Sequence, residues 1–355
     1  MKVQAIHLIN TMSLLRIFSI FLLALICHQG QLHASAESYN TGWQLNIDNN
    51  LFSSYMKDRD YTGGIAFSAS GSRAQSGWLN IDFVRGWIFD DLALFDVNSS
   101  TIQKHSVQYG MVFFTPDDIT TTQPILDDRP FASLFYISNT ELKVNPGKDK
   151  AYRSSFTFGL LGLNLAGDIQ STLHKITDSD EANGWHNQVS SGGEPTAMLT
   201  LSVQQKQSNA DNYQLSSHLE ANAGFSTDMN AGLNWRWGRL NTPWWSFNPS
   251  HHEYISSAVS NARGVDSKPE FYIFASANVK YRLYSSLLQG QFRNSVHTLG
   301  SDQVENFLGS VSTGITREFG DNFRVSLFVR GVSSEIKGPN ARNLWWASLV
   351  LNRAW

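Results

Sequence analysis

The amino-acid sequence predicts an all-β protein, an antiparallel 12-stranded transmembrane β-barrel with a short extracellular loop helix. Three features carry that expectation: an export signal at the start, period-two alternation in segments too long for a soluble sandwich, and an aromatic residue closing the last amphipathic segment. Composition agrees with it. Of 355 residues, 41% are hydrophobic and 16% charged, so the chain can bury a core and is not generically disordered. Lys and Arg number 27 against 30 Asp and Glu, with no dense basic stripe, which sets nucleic-acid binding aside.

The first element is Lys2 and Arg16, then the apolar run Ile17 to Cys27, then Ala34-Ser35-Ala36. A charged start, an apolar stretch of about ten residues and a small-x-small site make a secretory signal peptide, with cleavage expected after Ala36. Residues 1–36 are therefore signal and 37–355 the mature barrel. The only cysteine, Cys27, lies in the removed part, so neither a disulfide nor a cysteine-ligated metal is expected. Ile26 stands where a lipoprotein signal needs a small residue. Beyond Ala36 no apolar stretch reaches the roughly 18 residues of a spanning helix, leaving a periplasmic, secreted or outer-membrane barrel protein.

Strands follow from alternation. Phe271, Ile273, Ala275, Ala277, Val279, Tyr281 and Leu283 alternate with Tyr272, Phe274, Ser276, Asn278, Lys280 and Arg282. The segments 152–163 and 322–336 alternate in the same way, and Trp345, Ala347, Leu349 and Leu351 lead to the final Trp355. Sandwich strands average nearer five or six residues, whereas barrel walls use about ten with one face toward lipid. Twelve strands are expected near 41–51, 61–70, 103–115, 131–144, 152–163, 195–207, 212–225, 228–238, 269–284, 304–318, 322–336 and 343–355. An amphipathic run over 77–89 fits none of them, and Leu240 to Lys268 makes a long Pro-, Ser-, His- and Trp-rich connection. A twelve-strand lumen is too narrow for a general porin, so inward side chains are expected to fill it and function to reside in the rim loops.

One connection breaks the pattern. Between Gly162 and Glu194, Asp168 to Ile176 reads as a helix after Gly167, with Gln170 and His174 sharing a face at i, i+4. The amide is expected to fix the imidazole, and Trp185 to sit at the lipid headgroup level. Asp178, Asp180 and Glu181 follow. Strand 1 ends in Asp48-Asn49-Asn50 and strand 2 opens on Asp58 to Gly64, at the same rim. One imidazole, several hard oxygens and no serine in a nucleophile elbow allow ester hydrolysis by water activated at His174, with a cation or amides stabilising the oxyanion.

These residues resemble the LpxR-type lipid A 3′-O-deacylase family of Gram-negative outer membranes. The resemblance rests on Asp48 to Phe52, Asp60 to Gly64, Phe114 to Ile119, Asp128 to Ala132 and the stretch Gln170 to Gln188, in family order over about 45–190. It implies a calcium-assisted enzyme of the outer membrane, its site facing the extracellular leaflet, that removes the 3′ acyloxyacyl group of lipid A in lipopolysaccharide. Carried over, the catalytic set is His174 as base, Gln170, Asn49 and Thr62, and the calcium ligands are Asn49, Asn50, Thr62 and Asp180. Asn50 replaces the family's Asp, Asp180 its Glu, and its loop lysine has no counterpart near Thr121. A phospholipase-type esterase and a non-enzymatic channel or adhesin are the competing readings.

Overall fold

A computed structural model describes residues 37–50, 59–76, 80–89, 101–177, 179–248, 253–255, 262–264 and 268–355. The expected signal peptide lies outside them. Strands β1 (Gly42–Asn49), β2 (Asp60–Ser70), β3 (Ile102–Thr115), β4 (Ala132–Asn145), β5 (Lys150–Leu161), β6 (Glu194–Ala210), β7 (Tyr213–Gly224), β8 (Ser226–Arg239), β9 (Phe271–Ser285), β10 (Phe307–Glu318), β11 (Phe323–Val332) and β12 (Leu344–Ala354) pair in sequence order. β1 pairs antiparallel with β12, from Gly42 opposite Ala354 to Asn49 opposite Ala347, and the sheet closes. Each of the twelve expected segments is a strand, with ends displaced by up to four residues.

Closure gives every strand an inner and an outer face. On β9 the inward Tyr272, Phe274, Asn278 and Arg282 are buried, while the outward Ile273, Val279, Tyr281 and Leu283 are exposed. The apolar surface is thus on the outside, as a wall bathed in lipid requires, and the polar alternate set is inside. β1 and β12 begin and end at one rim, here the terminus rim, and the connections after β1, β3, β5, β7, β9 and β11 gather at the other, the loop rim.

The lumen holds more than inward side chains. Described residues of the connection after β8 lie in the barrel: Trp245 packs with Leu142, Val144 and Ala151, and Phe247 with Phe274, Phe328 and Val350. Further along, the Tyr254 ring lies 4.9 Å from both Tyr61 and Phe114 and 5.4 Å from Trp346, near the loop rim. Glu253 pairs with Lys280 at 2.5 Å, and Glu335, from the loop after β11, joins Arg282 to Arg129. Burial pushes the Glu335 carboxyl up, but the Arg282 and Arg129 guanidiniums outweigh it and hold the group below the usual carboxylate range, so it stays ionised.

Two helices lie on the outside of the wall. The end of the unassigned run forms α1 (Asp82–Phe89), beside the outward residues of β4 and β5. The loop helix α2 (Leu165–Thr177) starts three residues before the expected Asp168 and takes Gly167 into its first turn. With a chain segment threaded through the lumen, the protein should carry no steady ion current in a planar bilayer, and deletion of residues 243–264 should open one. Conduction by the full-length chain would show that the segment does not seal the barrel.

Candidate active site

The site is built on the outer face, and a β-bulge aims it there. From Ile65 downward, even-numbered residues of β2 face the lumen, which would put Thr62 inside as well. The register with β3 shifts between Tyr61 and Gly63: Tyr61 pairs with Phe114, and Gly63 with Phe113. The extra residue turns Thr62 over. Its hydroxyl meets that of the outward Thr115 at 2.8 Å, while Tyr61 takes the inner place and donates to Asp48 Oδ2 at 3.0 Å. Asn49 also faces out, opposite Gly63, which is opposite Phe113. Asn49 and Phe113 thus stand two strand spacings, about 10 Å, apart along the sheet, with a glycine between them. A Cβ on Gly63 would come within 2.8 Å of the Asp48 carbonyl oxygen.

Asp48 itself is not part of this surface. It points into the lumen, with Arg330 at 3.9 Å, so the expected oxygen cluster at the end of β1 is divided by the wall. Asn50 is buried and its Nδ2 donates to the Arg59 carbonyl at 2.8 Å, leaving Oδ1 as the atom of that side chain able to meet a cation.

Helix α2 lies over Phe113. Ala166, Gln170 and His174, spaced four apart, are buried on one face, while Thr172 and Lys175 are exposed. Ala166 and Ile169 pack with Phe113, Ile119, Phe131 and Trp185. Gly167 permits the close approach, since a Cβ there would be 3.2 Å from the Trp185 Cβ. Trp185 is therefore buried between helix and wall, contrary to the expected headgroup position: its ring is 5.1 Å from Phe131 and 6.1 Å from Phe113, and its Nε1–H donates to Gln170 Oε1 at 2.5 Å. The segment after α2 is tied to the β3–β4 loop by Asn183 on Ile119 and Asn187 on Thr122, in the region without the family lysine.

His174 Nδ1 is bonded to the backbone carbonyl of Asp180. A carbonyl only accepts, so Nδ1 carries the proton and Nε2 keeps the lone pair, the tautomer a general base needs. The Asp180 side chain and His186 are exposed. The structure thus brings Gln170 and His174 together on the buried face of α2, and Asn49 and Thr62 onto the outer wall beneath the same loop rim. Among the described residues no group of three or more His, Cys, Asp and Glu could hold a metal.

Several motif residues act as struts. Asp60, at φ 63°, receives Arg342 through both carboxylate oxygens at 2.8 Å, and Arg342 also reaches Asp128 at 3.0 Å. Asp128 accepts from the Asp117 amide at 2.8 Å, and its carbonyl accepts from His297 Nε2 at 2.8 Å. Asp60 and Asp128 therefore bind the loops after β1, β3, β9 and β11 to one another. Thr115 and Trp185 were not among the expected site residues, although both stand within the family-like segments.

A family model described as outer membrane protein LpxR matches residues 17–355. The chain belongs to the LpxR family. LpxR from Salmonella typhimurium has the same fold, with a TM-score of 0.66 at 13% identity, covering 89% of this chain and 100% of that one. The beta domain of the Bordetella autotransporter BrkA (TM-score 0.43, 8% identity, 90% and 100% covered) and the KdgM porin (0.38, 5%, 88% and 99%) are too remote to carry an argument. Among curated proteins no sequence matches. This LpxR-family chain is thus an outer-membrane barrel. Trp185→Phe keeps the ring packing but removes the donor to Gln170, a loss of about 1 kcal/mol. Amides of α2 should then exchange severalfold faster with deuterium, and unchanged exchange would show that this bond does not hold the helix.

Proposed function

We propose that the protein is a lipid A deacylase that hydrolyses the ester joining the acyloxyacyl group to the 3′ position of lipid A. The observation that carries this reading is the placement of a tautomer-fixed imidazole and the polar Asn49 and Thr62 on the lipid side of the wall, not in the lumen. A bilayer lipid reaches such a site by lateral motion. Family membership supports lipid A as that lipid, and with it a loop rim directed to the extracellular leaflet.

In this mechanism His174 Nε2 takes a proton from water as the water oxygen attacks the acyl carbonyl carbon. The Asp180 carbonyl, holding Nδ1–H, stabilises the imidazolium that forms. The Asn49 amide and the Thr62 hydroxyl donate to the oxyanion. On collapse the carbon–oxygen bond to the sugar breaks, and the departing 3′ oxygen takes the proton from Nε2. Trp185 holds the Gln170 amide on the same helix face, which makes Gln170 a positioning residue.

The donor set that the resemblance assigns to a metal is all oxygen: the side-chain carbonyls of Asn49 and Asn50, the Thr62 hydroxyl and the Asp180 carboxylate. That set fits a hard cation such as calcium, and its single carboxylate points to weak binding. Bound there, the ion would polarise the ester carbonyl.

Lipid A mass spectra from cells with and without the protein test the reading. Loss of the 3′ acyloxyacyl mass supports it, whereas unchanged lipid A beside cleaved glycerophospholipid would assign the esterase alternative. His174→Ala should leave an inserted barrel with at least about a hundredfold less activity, since general-base catalysis is worth 10²–10⁴-fold. His186→Ala should act near wild type, and the reverse result would move the base to His186. Chelation should abolish deacylation, with calcium restoring it better than magnesium, whose octahedral demand is stricter. Full activity in excess chelator would remove the metal.

A further inference from the structure

Helix α1 takes no part in the site, yet it lies where the wall departs from its own rule. Toward the terminus rim the outward positions of β4 are Asn139, Glu141, Lys143 and Asn145. The residues level with the first three on β5 and β6 include Phe156, Tyr152, Leu199, Leu201 and Val203. Charged groups set against acyl chains are unfavourable unless covered.

The cover is α1. Asp82, Arg85 and Phe89 fall three and four apart, face the wall and are buried. Arg85 donates to Glu141 at 2.7 Å, to Ser154 at 3.2 Å and to Asp82 at 2.6 Å. Lys143 lies 3.1 Å from Glu141, and His105 joins Glu141 at 3.6 Å to Glu37 at 2.9 Å. Asn139 accepts from the Ile81 amide and donates to the Ala74 carbonyl. On the side away from the wall Phe83 is 65% exposed, and Val84, Trp87 and Ile88 are half-buried. Phe83 and Trp87, at i, i+4, make one apolar stripe, and none of residues 83, 84, 86, 87 and 88 is charged.

We propose that α1 is immersed in the leaflet at the terminus rim, its Phe83–Trp87 stripe against lipid, and is pinned to the wall by the ion cluster around Arg85. The occupant of that stripe is lipid because the stripe continues, one helix diameter farther out, the apolar surface that β5 and β6 present at the same level. Polar wall and amphipathic helix are complementary: each alone would expose charge to the bilayer, whereas together they bury Arg85 against Asp82 and Glu141.

The test uses Cys27→Ser chain in vesicles of phosphatidylcholine and phosphatidylglycerol, with a nitroxide attached at Phe83→Cys. The wall position Val279→Cys and the β6–β7 turn position Asp211→Cys serve as references. Collisions with oxygen relative to those with a water-soluble nickel chelate should match Val279 and exceed Asp211 severalfold. A ratio equal to that at Asp211 would overturn the proposal, and would leave a protein partner as the cover of the stripe. Adding Arg85→Ala, with barrel integrity checked by the unheated gel band, should narrow the Phe83 spectrum as the helix loosens. Unchanged line shape would overturn the pinning.

Discussion

The closure of β1 onto β12 is the constraint on which the rest of the structure depends. In lipid no unpaired backbone group is tolerated, so the sheet must have no edge. Once closed, it separates two environments by a single layer of chain, and each residue's chemistry is set by the face it takes. Asp48 and Asn49 are neighbours in sequence, yet Asp48 lies in the lumen beside Arg330 and Asn49 on the lipid side. One residue of register decides whether an oxygen serves the interior or the substrate.

The bulge at Tyr61–Gly63 uses that sensitivity. It gives the lumen an aromatic ring and the outer wall a hydroxyl from consecutive residues. Inside, Tyr61 is locked by Phe114, Trp346 and Tyr254, the last of these supplied by the segment threaded through the barrel. The filled lumen is thereby the rigid backing of a site on its outside. Without that segment Tyr61 would lose the Tyr254 ring and keep only Phe114 and Trp346, both of the wall.

Both outer helices obey one rule. Each brings a mixed face to the wall, aromatic and amide where α2 meets β3 and β4, ionic where α1 meets β4 and β5, and each covers outward polar or aromatic groups that differ from the apolar wall elsewhere. The helix at the loop rim covers chemistry, and the helix at the terminus rim covers charge.

The sequence by itself determined the twelve strands, the face each would show to lipid and the family, because alternation is local and the matched segments are contiguous. It also placed Gln170 and His174 on one helical face, since i, i+4 spacing needs no tertiary information. It did not determine that the helix would lie against the outer wall with Trp185 beneath it, that Asp82–Phe89 would fold as a helix on polar wall, or that Trp245, Phe247 and Tyr254 would lie in the lumen. Those depend on pairings between residues far apart in the chain: Trp185 with Gln170 and Phe113, Arg85 with Glu141, and Tyr254 with Tyr61. Nor does the composition of Asp60-Tyr61-Thr62-Gly63 announce a bulge, which exists only in the register of β2 against β3. Local pattern fixes which residues can face lipid; the closed sheet and what packs on either side of it decide which of them meet.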